Sequence, residues 1–330
     1  MQRSRMRMKS LERMGARGLL QPGAQRRRML VVVNPHAAAF SDRLRTVVLS
    51  ALRGRYDVDA IDTQARDHAT ELARDAAGQR YDVIVAFGGD GTANEVANGL
   101  AGADTPMTCL PGGATNVLCQ MLGIPAELVD ATEHLLRMAD DWRPRRIDLA
   151  SVNGRFFTFS SGLGLDAAVV KRVDARPDLK KRLREYYFAY AAVTTFTRRY
   201  LIRPPSIEVH AGDHRIRGVT ALVQNGDPYT YFNTRPLRAA EGAGLQVGTL
   251  AGTVLLRSSP RDLPTVTWRL FSARARIVDH KWIEGFSGLG TLRCVSVDGR
   301  AVPLHVDGDH IGDVTEALYA IRPRGLAIVS

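Results

Sequence analysis

Cysteine is scarce in this 330-residue chain, with Cys109, Cys119 and Cys294 the only three. Their spacing fits no metal-ligand pattern and an odd number cannot all pair internally, so buried free thiols in a reducing compartment are expected. Long apolar runs are also missing. The longest uncharged stretch, Thr105 to Ala126, is broken by Pro106, Pro111, Gly112, Gly113 and Asn116, which excludes a membrane span there. The apolar and aromatic stretch Tyr186 to Thr197 is too short to cross a bilayer. Flanked by Arg184, Arg198 and Arg199, it reads as a helix packed on a core or touching a membrane surface. Acidic residues are nearly absent from residues 1–28, where nine Lys or Arg face only Glu12, so eight of the eleven net positive charges lie there. Such a leader buries too little apolar surface to order itself and is expected as a flexible arm. It has no apolar core of the kind secretion needs, and its Arg-rich composition leaves organelle targeting, anionic-lipid contact or no role as its readings. Nucleic-acid binding would rest on this leader alone and is not favoured.

What is present is an alternation of strand and helix patterns. Met29 to Val33 is a continuous apolar run ending at Asn34-Pro35, as in a buried parallel strand followed by a loop. Helix patterns over Asp42 to Leu52 and His68 to Ala77 alternate with strands over Tyr56 to Ile61 and Asp82 to Phe87. A fourth unit follows, with Met107 to Leu110 as strand, Pro111 to Thr115 as loop and Asn116 to Leu122 as helix. This predicts a Rossmann-like parallel α/β domain over residues 29–147, whose ligands bind beyond the carboxyl ends of the strands. From residue 148 to 330 the texture becomes β-rich, predicting a mostly antiparallel β-sandwich whose last residues can pack back on the first domain. Its expected strands are Leu149 to Val152, Phe156 to Ser160, Ser206 to His210, Gly218 to Gln224, Leu245 to Leu250, Ala275 to Ile277, Leu292 to Val297 and Ala317 to Arg322. A helical piece is expected around Leu183 to Tyr200.

Three loops on the first domain carry chemistry. Gly88-Gly89-Asp90-Gly91-Thr92 follows a buried strand and opens a helix, so its amides can approach phosphate oxygens while the helix N-terminus supplies positive potential. Asp90 would repel a phosphate unless a divalent cation intervenes or unless it accepts a proton from an attacking hydroxyl. Thr92 can donate to phosphate or cap the helix. Pro111 to Asn116 is a second glycine loop before a helix, and Asn34-Pro35 opens a third. Far along the chain, Val306-Asp307-Gly308-Asp309 places two carboxylates across a turn. It is either a plain hairpin turn or the source of a base for phosphoryl transfer.

In order along the chain, Asn34-Pro35, Gly88 to Leu100, Pro111 to Asn116, Asp148, Gly162-Leu163-Gly164-Leu165-Asp166 and Asp307-Gly308-Asp309 resemble the diacylglycerol kinase catalytic-domain family, which includes bacterial soluble lipid kinases and sphingosine kinases. The resemblance implies an ATP-dependent, Mg2+-requiring lipid kinase at the inner membrane surface, making phosphatidic acid from diacylglycerol or acting on a sphingoid-type lipid. It places ATP near Asn34, Pro35, Thr63, Gly88, Gly89, Asp90, Gly91, Thr92, Asn94, Gly113, Thr115 and Asn116. It assigns Mg2+ to Asp90 and Asp148, and catalysis to Asp309 as base, with Asp90 and Asp307 beside it. The family normally has Glu at position 309, so Asp309 is one methylene shorter. Ala38 stands for a usual Gly, Ala114 for a common Thr and Val117 for a frequent Asp. Ala243 replaces an acidic ligand of a structural Mg2+, so that second metal site is not expected. Alternative readings are an NAD kinase-like or other soluble-acceptor kinase, or an inactive nucleotide- or lipid-binding homologue. Oligomeric state is not written in the pattern, and a homodimer is compatible with it.

Overall fold

The computed structural model of the protein describes residues 26–37, 41–176, 191, 194–195, 204–232, 235–272 and 274–330. The leader up to residue 25, Ala38 and most of the expected helix over 183–200 lie outside the described residues. The fold divides into two units, the first made of the described residues up to Ile147 together with Gly325–Ser330, and the second of Asp148–Arg324.

The first unit is a parallel sheet in the order β2 (Asp57–Asp62), β1 (Arg28–Val33), β3 (Val83–Gly88), β4 (Met107–Pro111), closed by Ile328 beside Met107. β3 is buried along its whole length and β1 along all but its first residue, as a strand covered on both faces requires, whereas β2 alternates and forms the edge. Helix α1 (Asp42–Arg53) starts at Ser41, whose hydroxyl accepts from the Leu44 amide at 3.3 Å, and buries Val48, Leu49, Ala51 and Leu52. Each of the Val and Leu side chains contributes about 1.5–3 kcal/mol when fully removed from water. Helix α2 (His68–Ala77) buries only alanines, Ala69, Ala73 and Ala76, and lies against α3 (Asp90–Gly99). Glu95 of α3 supplies the cap that Asp67 does not. Its carboxylate accepts from the Ala69 amide at 3.1 Å and its carbonyl from the Thr70 hydroxyl at 2.9 Å. Helices α4 (Val117–Met121) and α5 (Leu128–Met138) complete the unit, and α5 is a helix the sequence pattern had not singled out.

The second unit is antiparallel. One sheet runs β14 (Ile283–Leu289), β13 (Leu250–Leu255), β10 (Thr220–Gln224), β7 (Ser160–Gly164), β16 (Val302–Val306), β17 (Asp309–Val314). The other pairs β18 (Glu316–Ile328) with β15 (Thr291–Ser296), then β8 (Ile207–Ala211) and β9 (His214–Gly218), with β5 (Arg145–Val152) and β6 (Arg155–Phe157) alongside. A core of Ala150, Phe157, Leu163, Val209, Val223, Leu304 and Tyr319 fills the space between them. Helix α6 (Leu165–Asp174) packs on β16 and β17, and a short hairpin, β11 (Thr230–Phe232) with β12 (Arg235–Leu237), meets helix α7 (Leu263–Phe271).

Three strand expectations are corrected. The strand expected over Phe156 to Ser160 is broken at 158–159, where the Thr158 and Phe159 amides donate to Asp307. The strand expected over Leu245 to Leu250 begins only at Leu250, because residues 245–249 turn to place the Gly248 amide on Asp148. The strand expected over Ala275 to Ile277 is a 3-10 turn, Ile277–Asp279, held by the Arg276 and Asp279 ion pair. All three cysteines are free and buried, as expected.

Candidate active site

The parallel sheet of the first unit fixes where its loops go. Every strand points the same way, so the residues following β1, β2, β3 and β4 emerge on one edge, and backbone bonds tie them there. The Asn34 amide donates to the Phe87 carbonyl (3.0 Å), the Thr63 amide to Val33 (2.8 Å) and the Gly112 amide to Gly88 (2.7 Å). Asn34 further donates its side-chain amide to the Thr92 hydroxyl at 3.2 Å, and its own carbonyl oxygen caps the His36 amide. Pro35 is exposed in the turn that follows. Thr92 and Asn94 are buried in the first turns of α3, with Gly91 half-buried between Asp90 and Thr92.

The two glycine loops touch. A Cβ on Gly113 would lie 2.8 Å from the Gly89 Cα, closer than real Cβ atoms come, so only glycine lets these backbones meet. Asn116, in a left-handed conformation at φ 50°, folds the second loop on itself. Its side chain accepts from the Gly113 amide (2.8 Å) and donates to the Gly113 carbonyl (3.0 Å). The Thr115 carbonyl accepts from Gln120 at 2.7 Å. Asp90 crosses between the loops, its Oδ1 accepting from the Leu118 amide at the start of α4 at 3.1 Å. The arrangement offers backbone amides and the starts of two helices on one sheet edge, the geometry that takes up phosphate oxygens.

The expected site residues of the second unit are Asp148, Asp307 and Asp309. Asp148 is buried, and its two carboxylate oxygens accept from the Gly248 amide (2.6 Å) and the Arg324 amide (2.8 Å). Asp307 is buried at 3% exposure and accepts four bonds, from the Thr158 amide (2.7 Å) and hydroxyl (2.9 Å) and from the amides of Phe159 (3.0 Å) and Ser160 (3.1 Å). Asp307 and Gly308, at φ 47° and φ 82°, form the two-residue turn that joins paired Val306 and Asp309. The turn holds Asp309 half-buried at the first position of β17.

A constellation absent from the sequence expectations lies in the same unit. Asp166, in the first turn of α6, accepts on Oδ2 from both the Tyr229 hydroxyl and His305 Nε2, and those two donors are 3.4 Å apart. The His305 side chain is 1% exposed and that of Asp166 27%, so one end of the cluster is sealed and the other open. Burial pushes the Asp166 carboxyl upward, but the charge and hydrogen bond of His305 and the Tyr229 hydroxyl outweigh it, and the group sits below its ordinary value. Tyr229 is pushed well up by burial and by Asp166, so it remains a donor. A side chain at Gly162 would strike Asp166 Oδ2 and His305 Nε2 at 2.5 Å each. The only sequence signal was the glycine run ending at Asp166. Tyr229 and His305, 63 and 139 residues further on, carried none.

Among the described residues no three His, Cys, Asp or Glu side chains gather as a metal site. Mg2+ bound through phosphates uses only one or two carboxylates with water, and Asp90, between the phosphate-type loops, fits that role. Asp148 fits it less well, because both of its oxygens already hold backbone amides.

The glycine loops, their shared edge and the ordering of the motifs converge on one family. Residues 28–152 match the diacylglycerol kinase catalytic domain. Over these residues the resemblance drawn from the motifs is thereby borne out. Similar proteins include a diacylglycerol kinase of Bacillus subtilis (strain 168), 35% identical over 42% of this chain and 46% of its own length. A YegS-like lipid kinase of Pseudomonas savastanoi pv. phaseolicola is 29% identical over 59% of this chain and 58% of its own. The chain thus spans about half the length of the curated relatives it matches. A solved diacylglycerol kinase structure from Bacillus anthracis str. Sterne aligns with a TM-score of 0.66 at 17% identity, over 93% of this chain and 97% of its own. A further chain from that organism aligns with a TM-score of 0.73 at 20% identity, over 94% and 98%. At those identities the structural likeness establishes the fold, a parallel α/β unit followed by an antiparallel one, as expected.

Proposed function

We propose that this chain is an ATP-dependent lipid kinase that transfers the terminal phosphate of ATP to a lipid hydroxyl, with diacylglycerol or a sphingoid-type lipid as acceptor. The observation that carries the reading is the contact of the two glycine loops, Gly89 against Gly113, beside the Asn34 to Thr92 bond. In this reading the amides of Gly89 to Thr92 and of the second loop receive the triphosphate, and Asn34, Thr63, Asn94, Thr115 and Asn116 shape the surrounding edge. Mg2+, held through Asp90 and the phosphates, would neutralise charge on the transferring group. Asp309 takes the proton of the acceptor hydroxyl, the turn at Asp307 and Gly308 fixing its place. Asp307 serves as a strut rather than as base, because each of its oxygens already accepts two bonds, while Asp148, with one bond to each oxygen, steadies the turn at Gly248. Asp166 offers its open side to the polar head of the acceptor. Among the described residues no helix is long and apolar enough to cross a membrane.

The test is transfer of labelled phosphate from ATP to diacylglycerol, monoacylglycerol, ceramide and sphingosine in mixed micelles with Mg2+. One lipid should become labelled by the wild type and lose at least about a thousandfold of its rate in Asp90→Asn and Asp309→Asn. ATP binding without any labelled lipid, or label passing to a water-soluble acceptor such as NAD without micelles, would overturn the lipid assignment.

A further inference from the structure

Helix α7 is unlike the other helices of the fold. Whereas α1 and α5 bury four and six side chains, none of the described side chains of α7 is buried, although they include Val266, Trp268, Leu270 and Phe271. Trp268 is 61% exposed, the most exposed of the large apolar side chains among the described residues. The helix is nonetheless anchored. Phe271 meets Phe232 of the β11–β12 hairpin edge to face at 5.4 Å, and the Thr265 hydroxyl meets His280 at 3.0 Å. Phe271 is taken up by the Phe232 contact and Val266 and Leu270 are half-buried, which leaves Trp268 as the exposed large apolar side chain of the helix.

The charge around α7 complements the aromatic face. From Arg257 to Lys281 the chain carries six Lys or Arg and two acids. Arg257 and Arg276 are matched by Asp262 and Asp279, while Arg261, Arg274 and Lys281 are exposed cations with no carboxylate partner among the described residues. An exposed indole on a chain segment rich in exposed cations is the chemistry of a bilayer interface. The ring sits at headgroup depth, and arginine and lysine lay their stems on the apolar zone while keeping their charges on anionic headgroups. A partner protein of ordinary polarity would not need this excess of one sign. The hairpin that braces α7 also leads to chemistry, since Tyr229, which immediately precedes β11, holds Asp166.

We infer that α7, with the β11–β12 hairpin behind it, is the surface by which this protein rests on an anionic lipid bilayer, Trp268 inserting among the headgroups. The inference rests on the lipid-kinase reading for its purpose but not for its measurement. Full-length protein is mixed with phosphatidylcholine vesicles with or without about 30 mol % phosphatidylglycerol, their acyl chains brominated so that they quench an inserted indole. The wild type should sediment with the anionic vesicles and lose tryptophan emission. Trp268→Phe should still sediment but lose most of that quenching, and Trp268→Glu should bind roughly tenfold or more weakly. Sedimentation without quenching of Trp268, no sedimentation, or equal binding to neutral vesicles would overturn the proposal. Self-association abolished by Trp268→Glu, with no quenching, would give the face to a second copy of the chain instead. Phosphate transfer to a dispersed short-chain diacylglycerol, without vesicles, reports on the kinase reading separately.

Discussion

The first unit displays its polar groups along one sheet edge, whereas the second buries them between and beside its sheets. In the first, four parallel strands deliver Asn34, Thr63, Gly88 and Pro111 to a common rim, and each loop is local in sequence. In the second, Thr158 to Ser160 bind a carboxylate about 150 residues away, and Asp166 is held from positions 229 and 305. A parallel sheet therefore makes a site out of contiguous motifs. An antiparallel sandwich makes one out of residues that no motif contains.

The sharpest way to break this comparison is to remove a buried group of the second unit. Asp307→Ala leaves three backbone amides and a hydroxyl without their acceptor and should cost about 3–5 kcal/mol in urea unfolding. ATP titration of the folded fraction should be unchanged, and a large loss of ATP affinity would contradict the division of tasks between the units. Next in size is the loop contact of the first unit. Gly113→Ala places a Cβ 2.8 Å from Gly89 and 3.0 Å from Asn116 Oδ1. It should destabilise by about 1–3 kcal/mol and weaken ATP at least about tenfold by calorimetry. Unaltered ATP affinity would remove the loops from the nucleotide site.

Smaller effects sharpen the picture of the second unit. Tyr229→Phe takes one donor from Asp166 and should lower kcat/KM for the lipid roughly tenfold while the KM for ATP holds. Equal losses for both substrates would mean a general structural defect. The smallest effect is with pH. The Asp166 carboxyl lies below its ordinary 3.8 in the folded protein. The stability it contributes is therefore complete above that value and lost as pH falls through the lower folded value. Between about pH 5 and pH 2 the urea midpoint of the wild type should fall more steeply than that of Asp166→Asn. Parallel curves would mean that the cluster does not hold its carboxylate ionised.

Much of the first unit was legible. Continuous apolar runs ending in glycine or Asn-Pro mark β1, β3 and β4 because a strand covered on both faces has no polar side to show. Helix α5 has a regular apolar stripe but no start signal in the sequence, since Glu127 at its N-cap makes no side-chain cap bond. In the second unit β5, β8, β10, β15 and β18 were legible as strands, but β7, β9, β11 to β14, β16 and β17 and the helices α6 and α7 were not. β14 has only Ile283 buried, and α7 has no buried face, so neither bears the stamp that a core imposes.

By itself the sequence determined the parallel nucleotide-type unit, the rim on which Asn34, Asp90 and Gly113 gather, and the family to which residues 28–152 are matched. These follow from patterns a few residues long, in which backbone sterics and local burial act directly. Only the tertiary structure decided that Asp148 and Asp307 accept distant backbone amides, that Asp90 accepts from the Leu118 amide of α4, and that Asp166 is gripped by Tyr229 and His305. The work a carboxylate does depends on which donors come within about 3 Å of it, and across an antiparallel sandwich that is set by strand pairing rather than by neighbours in the chain.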